Sequence, residues 1–172
     1  RAFDIPVIRN RCLYYGLPPF SPIKHVDTLL VTKRLFRFEL NKLEYIAKYL
    51  GVSPKGTHSA FPGFTLWKEC LNDNHLAWKE MVEYNKQDVL TLEEVYEKLL
   101  PWMEDHPNIM VDSPADPRCP KCGGQVQRRG FYSTNVAMYQ RYRCNKCGGW
   151  ARSRYIDQRK EARLNVLANA VN

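Results

Sequence analysis

Apolar positions recur at helical spacing through the first two thirds of the chain and alternate in the last third. Asp4 and Pro6 precede Val7, Ile8, Cys12 and Tyr15, and Gly16 follows. That order predicts a helix with Asp4 near its N-cap, proline in its first turn and glycine beyond its end. Pro18, Pro19 and Pro22 make a loop, and residues 25–31 read as a short buried strand running into a helix. Asn41, with Glu44 three residues on, has the form of a capping box for a helix whose apolar face is Leu40, Leu43, Ile46, Ala47 and Leu50. Residues 53–63, with His58 among them, form a loop long enough to contact a substrate, although most such loops only connect elements. Thr65 is placed to cap a short helix through Leu71, and Asn72, Asp73 and Asn74 read as a turn. Two long helical stretches follow, 75–85 and 86–100, ended by Pro101. Val89, Leu92, Val95, Tyr96 and Leu99 stripe the second as core residues.

Beyond residue 103 the pattern changes. Residues 104–118 carry Pro107, Pro114 and Pro117 among polar residues, with Ile109, Met110 and Val111 as a short apolar patch, and read as a linker. Cys119-Pro120-Lys121-Cys122-Gly123-Gly124 and Cys144-Asn145-Lys146-Cys147-Gly148-Gly149 are near copies of each other. Each has the form of a knuckle, two thiolates on a tight turn with glycines to let the backbone fold round one side of a metal. The 21 residues between Cys122 and Cys144 alternate as a hairpin would, and their number lies just beyond the usual range of about 15 to 20 for a four-cysteine zinc site. With no secretory signal, metal is a better assignment for these cysteines than disulfides, and one structural Zn²⁺ is expected. A basic helix is expected over about 156–171.

Charge sharpens this division. The net charge of +8 is made of −1 over residues 1–112 and +9 over residues 113–172. A near-neutral body with a basic appendage points to a polyanionic partner, nucleic acid above all, because Arg128, Arg129, Phe131, Tyr132, Tyr139, Arg141, Tyr142 and Arg143 mix cations with rings. A zinc-stapled mini-fold with a solvated basic face has the same sequence signature. No apolar run approaches a membrane span and no signal-peptide pattern opens the chain, so a cytoplasmic protein without a membrane partner is expected. Cys12 and Cys70 are expected as buried core thiols, and His25, His58, His75 and His106 are too scattered to ligate together.

The stretch Tyr84-Asn85-Lys86-Gln87-Asp88-Val89 carries the remaining chemistry. Four residues apart on a helix, Tyr84 and Asp88 share a face, where a carboxylate can hold a divalent cation and a phenol can orient a water. Equally, they can be a half-buried tyrosine and a solvated aspartate.

Phe3-Asp4-Ile5-Pro6, Asp27-Thr28-Leu29, Asn41-Lys42-Leu43 and Tyr84-Asn85-Lys86-Gln87-Asp88-Val89 resemble, in that order, the later part of a DnaQ-like exonuclease domain of the RNase H-like fold. The family is the DEDD superfamily of 3′-to-5′ exonucleases, and the Tyr-x-x-x-Asp motif places the resemblance with its tyrosine-containing branch. The resemblance implies that Asp4 and Asp88 are catalytic carboxylates at a site of two Mg²⁺ or Mn²⁺ ions, and that Tyr84 helps position the attacking water. Asp27 is expected to be structural. The family's first motif, Asp-x-Glu, occurs nowhere in the sequence. Because the Asp4 motif begins almost at the first residue, the chain is expected to be the C-terminal part of a longer enzyme.

The expected fold class is therefore α/β: a mostly helical, partial RNase H-like domain over 1–103, a linker over 104–118, a zinc ribbon over 119–155 and a basic helix over 156–172. Its Arg141-Tyr142-Arg143-Cys144 run is similar to one in zinc ribbons attached to DNA-processing proteins. The expected function is 3′-to-5′ hydrolysis of nucleic acid, DNA before RNA. The alternative is a catalytically silent body that presents the ribbon to nucleic acid or to a protein.

Overall fold

The computed structural model describes residues 4–52, 60–112 and 116–168. The helical periodicity of the first hundred residues is realised as α1 Asp4–Tyr14, α2 Thr28–Leu35, α3 Leu43–Tyr49, α4 Thr65–Leu71 and α5 His75–Leu99. The chain divides into two compact units, Asp27–Leu99 and the pairing of Arg1–Val26 with Leu100–Asn172.

In the unit Asp27–Leu99, α5 is the spine, and α2, α3 and α4 each pack against it. The two stretches expected over 75–100 are one helix of 25 residues. No glycine or proline interrupts it, and Lys86 Nζ pairs with Glu83 Oε1 at 2.8 Å across the expected break. Asn74 starts the helix, its Oδ1 accepting from the amides of Leu76 (3.0 Å) and Ala77 (3.3 Å). Its Nδ2 donates to Glu69 Oε2 at 3.0 Å, which ties this cap to α4. Leu66, Cys70 and Ala77 form the core between α4 and α5, with Phe61 and Met81 against them. Burying a leucine such as Leu66 contributes roughly 1.5–3 kcal/mol.

Three local expectations change. Residues 28–31 are the first turn of α2 rather than strand, because the Asp27 carboxylate accepts from the Leu30 amide at 3.2 Å and caps the helix there. Asp27 is thus structural, as expected. The capping box at Asn41 does not form: α3 begins one residue late, with Lys42 in the N-cap position and no side-chain cap. Asn41 Oδ1 is buried with no hydrogen-bond partner among the described residues. Thr65 is the first residue of α4, and Phe64 occupies the cap position. At the end of α4 Asp73 takes a left-handed φ of 57°. That lets the amides of Asp73 and Asn74 reach the carbonyls of Cys70 (3.2 Å) and Glu69 (3.0 Å) and turn the chain into α5.

In the other unit, α1 is as expected, with Pro6 in its first turn and Gly16 (φ 64°) closing its end through Leu17 N to Cys12 O at 2.9 Å. None of its residues is buried, and Cys12 is half-buried rather than core. The remaining elements are β1 Val126–Ser133, β2 Met138–Cys144, β3 Trp150–Arg152 and α6 Lys160–Leu164. They include one antiparallel sheet in the order β1-β2-β3. The third strand is not signalled by the sequence, since three residues after a knuckle are too few to show alternation. Within the described residues the basic helix expected over 156–171 is reduced to the five residues of α6. No residue of α6 is buried, so no packed face supports a longer helix.

Candidate metal centre and nucleic-acid interface

The two Cys-x-x-Cys-Gly-Gly segments fold alike because they are bonded alike. In the first, Cys119 N donates to Gly124 O and Gly123 N to Cys119 O, both at 2.9 Å. In the second, Cys144 N donates to Gly149 O at 2.9 Å and Gly148 N to Cys144 O at 3.1 Å. The two glycines of each knuckle have different work. Gly123 and Gly148 take left-handed φ values of 68° and 75°. Gly124 and Gly149 leave room for sulfur: a Cβ on Gly124 would lie 3.0 Å from Cys144 Sγ, and one on Gly149 would lie 3.3 Å from Cys147 Sγ.

The four Sγ atoms of Cys119, Cys122, Cys144 and Cys147 lie within 4.8 Å of one another, with Cys119 to Cys147 at 3.8 Å and Cys122 to Cys144 at 3.5 Å. Tetrahedral zinc with Zn–S bonds of about 2.3 Å needs sulfurs about 3.8 Å apart. The cluster can therefore hold one zinc ion. Among the described residues it is the one group of three or more His, Cys, Asp or Glu side chains close enough to do so.

The electrostatics favour a cation there. Burial pushes the Cys119 and Cys147 thiols up, and neighbouring thiols outweigh the Gly149 amide to carry Cys147 to about 12. Burial also raises Cys144, but the amides of Cys147 and Lys146, at 3.4 and 3.3 Å from its sulfur, and the adjacent thiols bring it down to about 7. One anion can sit among protonated thiols; four thiolates together need a divalent cation. Lys121, its own pKa lowered by burial, adds positive charge beside the cluster and donates to Pro101 O at 2.6 Å.

The segment expected as a linker is tied to this centre. Ile109 N donates to Pro120 O at 2.9 Å, and Met110 Sδ lies against Gly123.

The eight candidate nucleic-acid residues do not share one surface. Strand register places Tyr132 opposite Tyr139, Arg141 opposite Arg152 and Arg143 opposite Trp150, all on one face of the sheet. A bulge between Arg128 and Phe131 shifts β1, so Phe131 pairs with Gln140 and Arg128 with Tyr142 on the other face. The carbonyls freed by the bulge are taken by β2: Gln140 Nε2 donates to Gly130 O at 2.8 Å, and Arg141 Nε to Arg129 O at 2.9 Å. On the first face the arginines lie against rings. Arg141 and Arg143 sit 4.7 and 5.8 Å from the centroid of Trp150, and Arg152 sits 4.1 and 5.7 Å from those of Tyr139 and Tyr132. Trp150 and Arg152, absent from the candidate set, are central to this face. No short run in the sequence marks them: they reach this face only through the pairing of β3 with β2.

Asp4 opens α1 and is exposed, in one unit; Tyr84 and Asp88 lie on α5, in the other, both half-buried and one turn apart. Trp67 of α4 meets the Tyr84 ring edge-on, with centroids 6.2 Å apart. One carboxylate oxygen of Asp88 is buried. Among the described residues, neither Asp4 nor Asp88 belongs to a group of three or more close His, Cys, Asp or Glu side chains. Mg²⁺ commonly takes only one or two protein carboxylates and completes its shell with phosphate oxygens and water, so Asp4 and Asp88 suit it as individual donors. His58 lies outside the described residues.

A family model described as the RNase_H superfamily matches residues 1–100. The chain belongs to that superfamily. Its members are nucleases in general, so its substrate class is nucleic acid. Searches of curated proteins and of solved structures give no match. No helix among the described residues is long and apolar enough to cross a membrane.

Proposed function

We propose that the chain is a metal-dependent 3′-to-5′ exonuclease of the tyrosine-containing DEDD type, acting on DNA before RNA, and that its zinc ribbon grips the nucleic acid. The observation that carries this reading is the superfamily match over residues 1–100, a span that takes in Asp4, Tyr84 and Asp88. Asp4 and Asp88 would each supply a carboxylate to Mg²⁺ or Mn²⁺. Tyr84, whose ring meets Trp67 edge-on and which lies one turn from Asp88, would help position the attacking water. When bound, the metal supplies a water acidic enough to attack at neutral pH and charge to stabilise the leaving oxygen. The ribbon, with one structural Zn²⁺, holds the strand by its cations and rings.

The test is loss of a single strand under the full chain in Mg²⁺ or Mn²⁺, compared with its Asp88→Ala variant. Activity should fall by more than the roughly 10–100-fold that loss of an outer-shell partner costs. Undiminished cleavage by Asp88→Ala would refute the assignment of that carboxylate.

A second reading rests on a separate observation, that the sequence contains no Asp-x-Glu. In it the RNase H-like body is silent and the chain serves to present the ribbon. It requires binding of nucleic acid with no metal-dependent hydrolysis.

A further inference from the structure

We propose that the ribbon takes a single strand, DNA or RNA, on one face of its sheet only. Bases stack at Trp150 and at the pair Tyr132 and Tyr139, and a phosphate is seated beside the second knuckle. This inference rests on the reading of the ribbon as a nucleic-acid grip and specifies how it grips.

Charge comes first. Between Asp116 and Asp157 the sequence has nine Lys and Arg and no Asp or Glu. The arginines of this face thus have no carboxylate within the ribbon to neutralise them, and they lie on aromatic rings instead. A guanidinium flat against a ring is held in place while the N–H groups at its edge stay free for phosphate. Zinc with four thiolates carries a formal charge of −2, which Lys121 and Lys146 beside the knuckles can offset. Arg141 and Arg152, away from the knuckle loops, remain as surplus positive charge on the open face.

Exposure comes second. Despite their arginine neighbours, Trp150 is 49% exposed and Tyr132 46% exposed. Half-open rings interleaved with cations suit splayed bases, and each stacked base is worth about 1–3 kcal/mol. A duplex hides its base faces and would use only the charges.

Shape comes third. At the knuckle end of the same sheet a hollow of about 370 Å³ is lined by Gln127, Arg129 and Arg143 together with residues 144–148 of the second knuckle. With Lys146 set against the thiolates, Arg129 and Arg143 remain at this hollow as two guanidiniums that fit a phosphate. Arg143 borders the hollow and also lies over Trp150, so a phosphate seated here places the adjoining base at that ring. The opposite face offers Arg128, Phe131 and Tyr142, without a comparable stack among the described residues.

The experiment is anisotropy of a fluorescent oligothymidylate of about 15 nucleotides, near the upper end of single-domain site sizes. The zinc-loaded full chain is titrated without added Mg²⁺ or Mn²⁺ so that the probe stays intact. Trp150→Ala and Tyr132→Ala should each weaken binding roughly 5- to 150-fold, Phe131→Ala should not, and a duplex of the same length should compete poorly. Zinc content and far-UV circular dichroism of each variant check the fold, and Tyr132, at the exposed end of the hairpin, is the variant least able to disturb it. Equal weakening by Phe131→Ala, no weakening by either ring variant, or equal competition by the duplex would overturn the one-face, single-strand inference while leaving a nucleic-acid grip in place. Failure of the wild-type chain to bind either probe would remove the grip itself.

Discussion

Arg141 lies with its guanidinium 4.7 Å from the centre of the Trp150 ring while its Nε donates to the Arg129 carbonyl at 2.9 Å, so one side chain joins all three strands of the ribbon. The bulge in β1 leaves that carbonyl without a ladder partner, and β3 is too short to hold its place by backbone bonds alone. Arg141→Ala should therefore destabilise the ribbon by about 1–2 kcal/mol, from an exposed charged hydrogen bond and an exposed cation–π contact. Arg141→Lys should recover little, since an ammonium cannot serve both partners in this geometry. Urea midpoints of the zinc-loaded chain measure this, and unchanged midpoints would mean the ribbon is held without it.

Metal removal is the second prediction. The chain should bind one zinc ion, and chelation or Cys144→Ser should unfold residues 119–152 together, since so small a sheet buries little core of its own. Zinc content with circular dichroism before and after chelation reports this; an unchanged spectrum would contradict a structural zinc.

Proton release follows from the thiols. Cys119 and Cys147 are held protonated at neutral pH, Cys147 by a pKa of about 12, so zinc uptake must expel a proton from each. Affinity should fall as pH falls, because protons then compete better for the same sulfurs. Titration of metal-free chain with zinc in a weakly buffered indicator solution should show acidification, and a silent titration would mean the thiols are already ionised.

The cap at Asn74 gives a prediction for the helical unit. Asn74→Ala removes an acceptor from two α5 amides and a donor to Glu69, and should cost about 1–2 kcal/mol. Asn74→Asp keeps the cap but sets a carboxylate against Glu69, and should recover only part of that loss. Thermal or urea unfolding of the two variants orders them.

What could be read from the sequence followed the strength of local signals. The knuckles were legible because two thiols, a turn and two glycines are all set within six residues. The helices between Asp4 and Leu99 were legible from periodicity, but their starts were not. Asp27 and Asn74 cap because of where the chain enters each helix, which spacing alone leaves open, and Asn41 fails to cap for the same reason. The ribbon's faces were hidden by the bulge at Arg129 and Gly130: one extra residue in β1 puts Tyr132 rather than Phe131 opposite Tyr139, and alternation counted from Gln127 without it misassigns both. Trp150 and Arg152 join the site only through pairing with β2, a long-range relation that no short motif encodes.

The most direct test of the account is the polarity of strand loss. The full chain is incubated with Mn²⁺ and one single-stranded oligonucleotide labelled, in parallel samples, at its 5′ or its 3′ end. A 3′-to-5′ exonuclease gives a ladder of shrinking 5′-labelled products and immediate release of a labelled mononucleotide from the 3′ end, both abolished by Asp88→Ala. Internal fragments from the first time point, or no metal-dependent loss from either label, would contradict it.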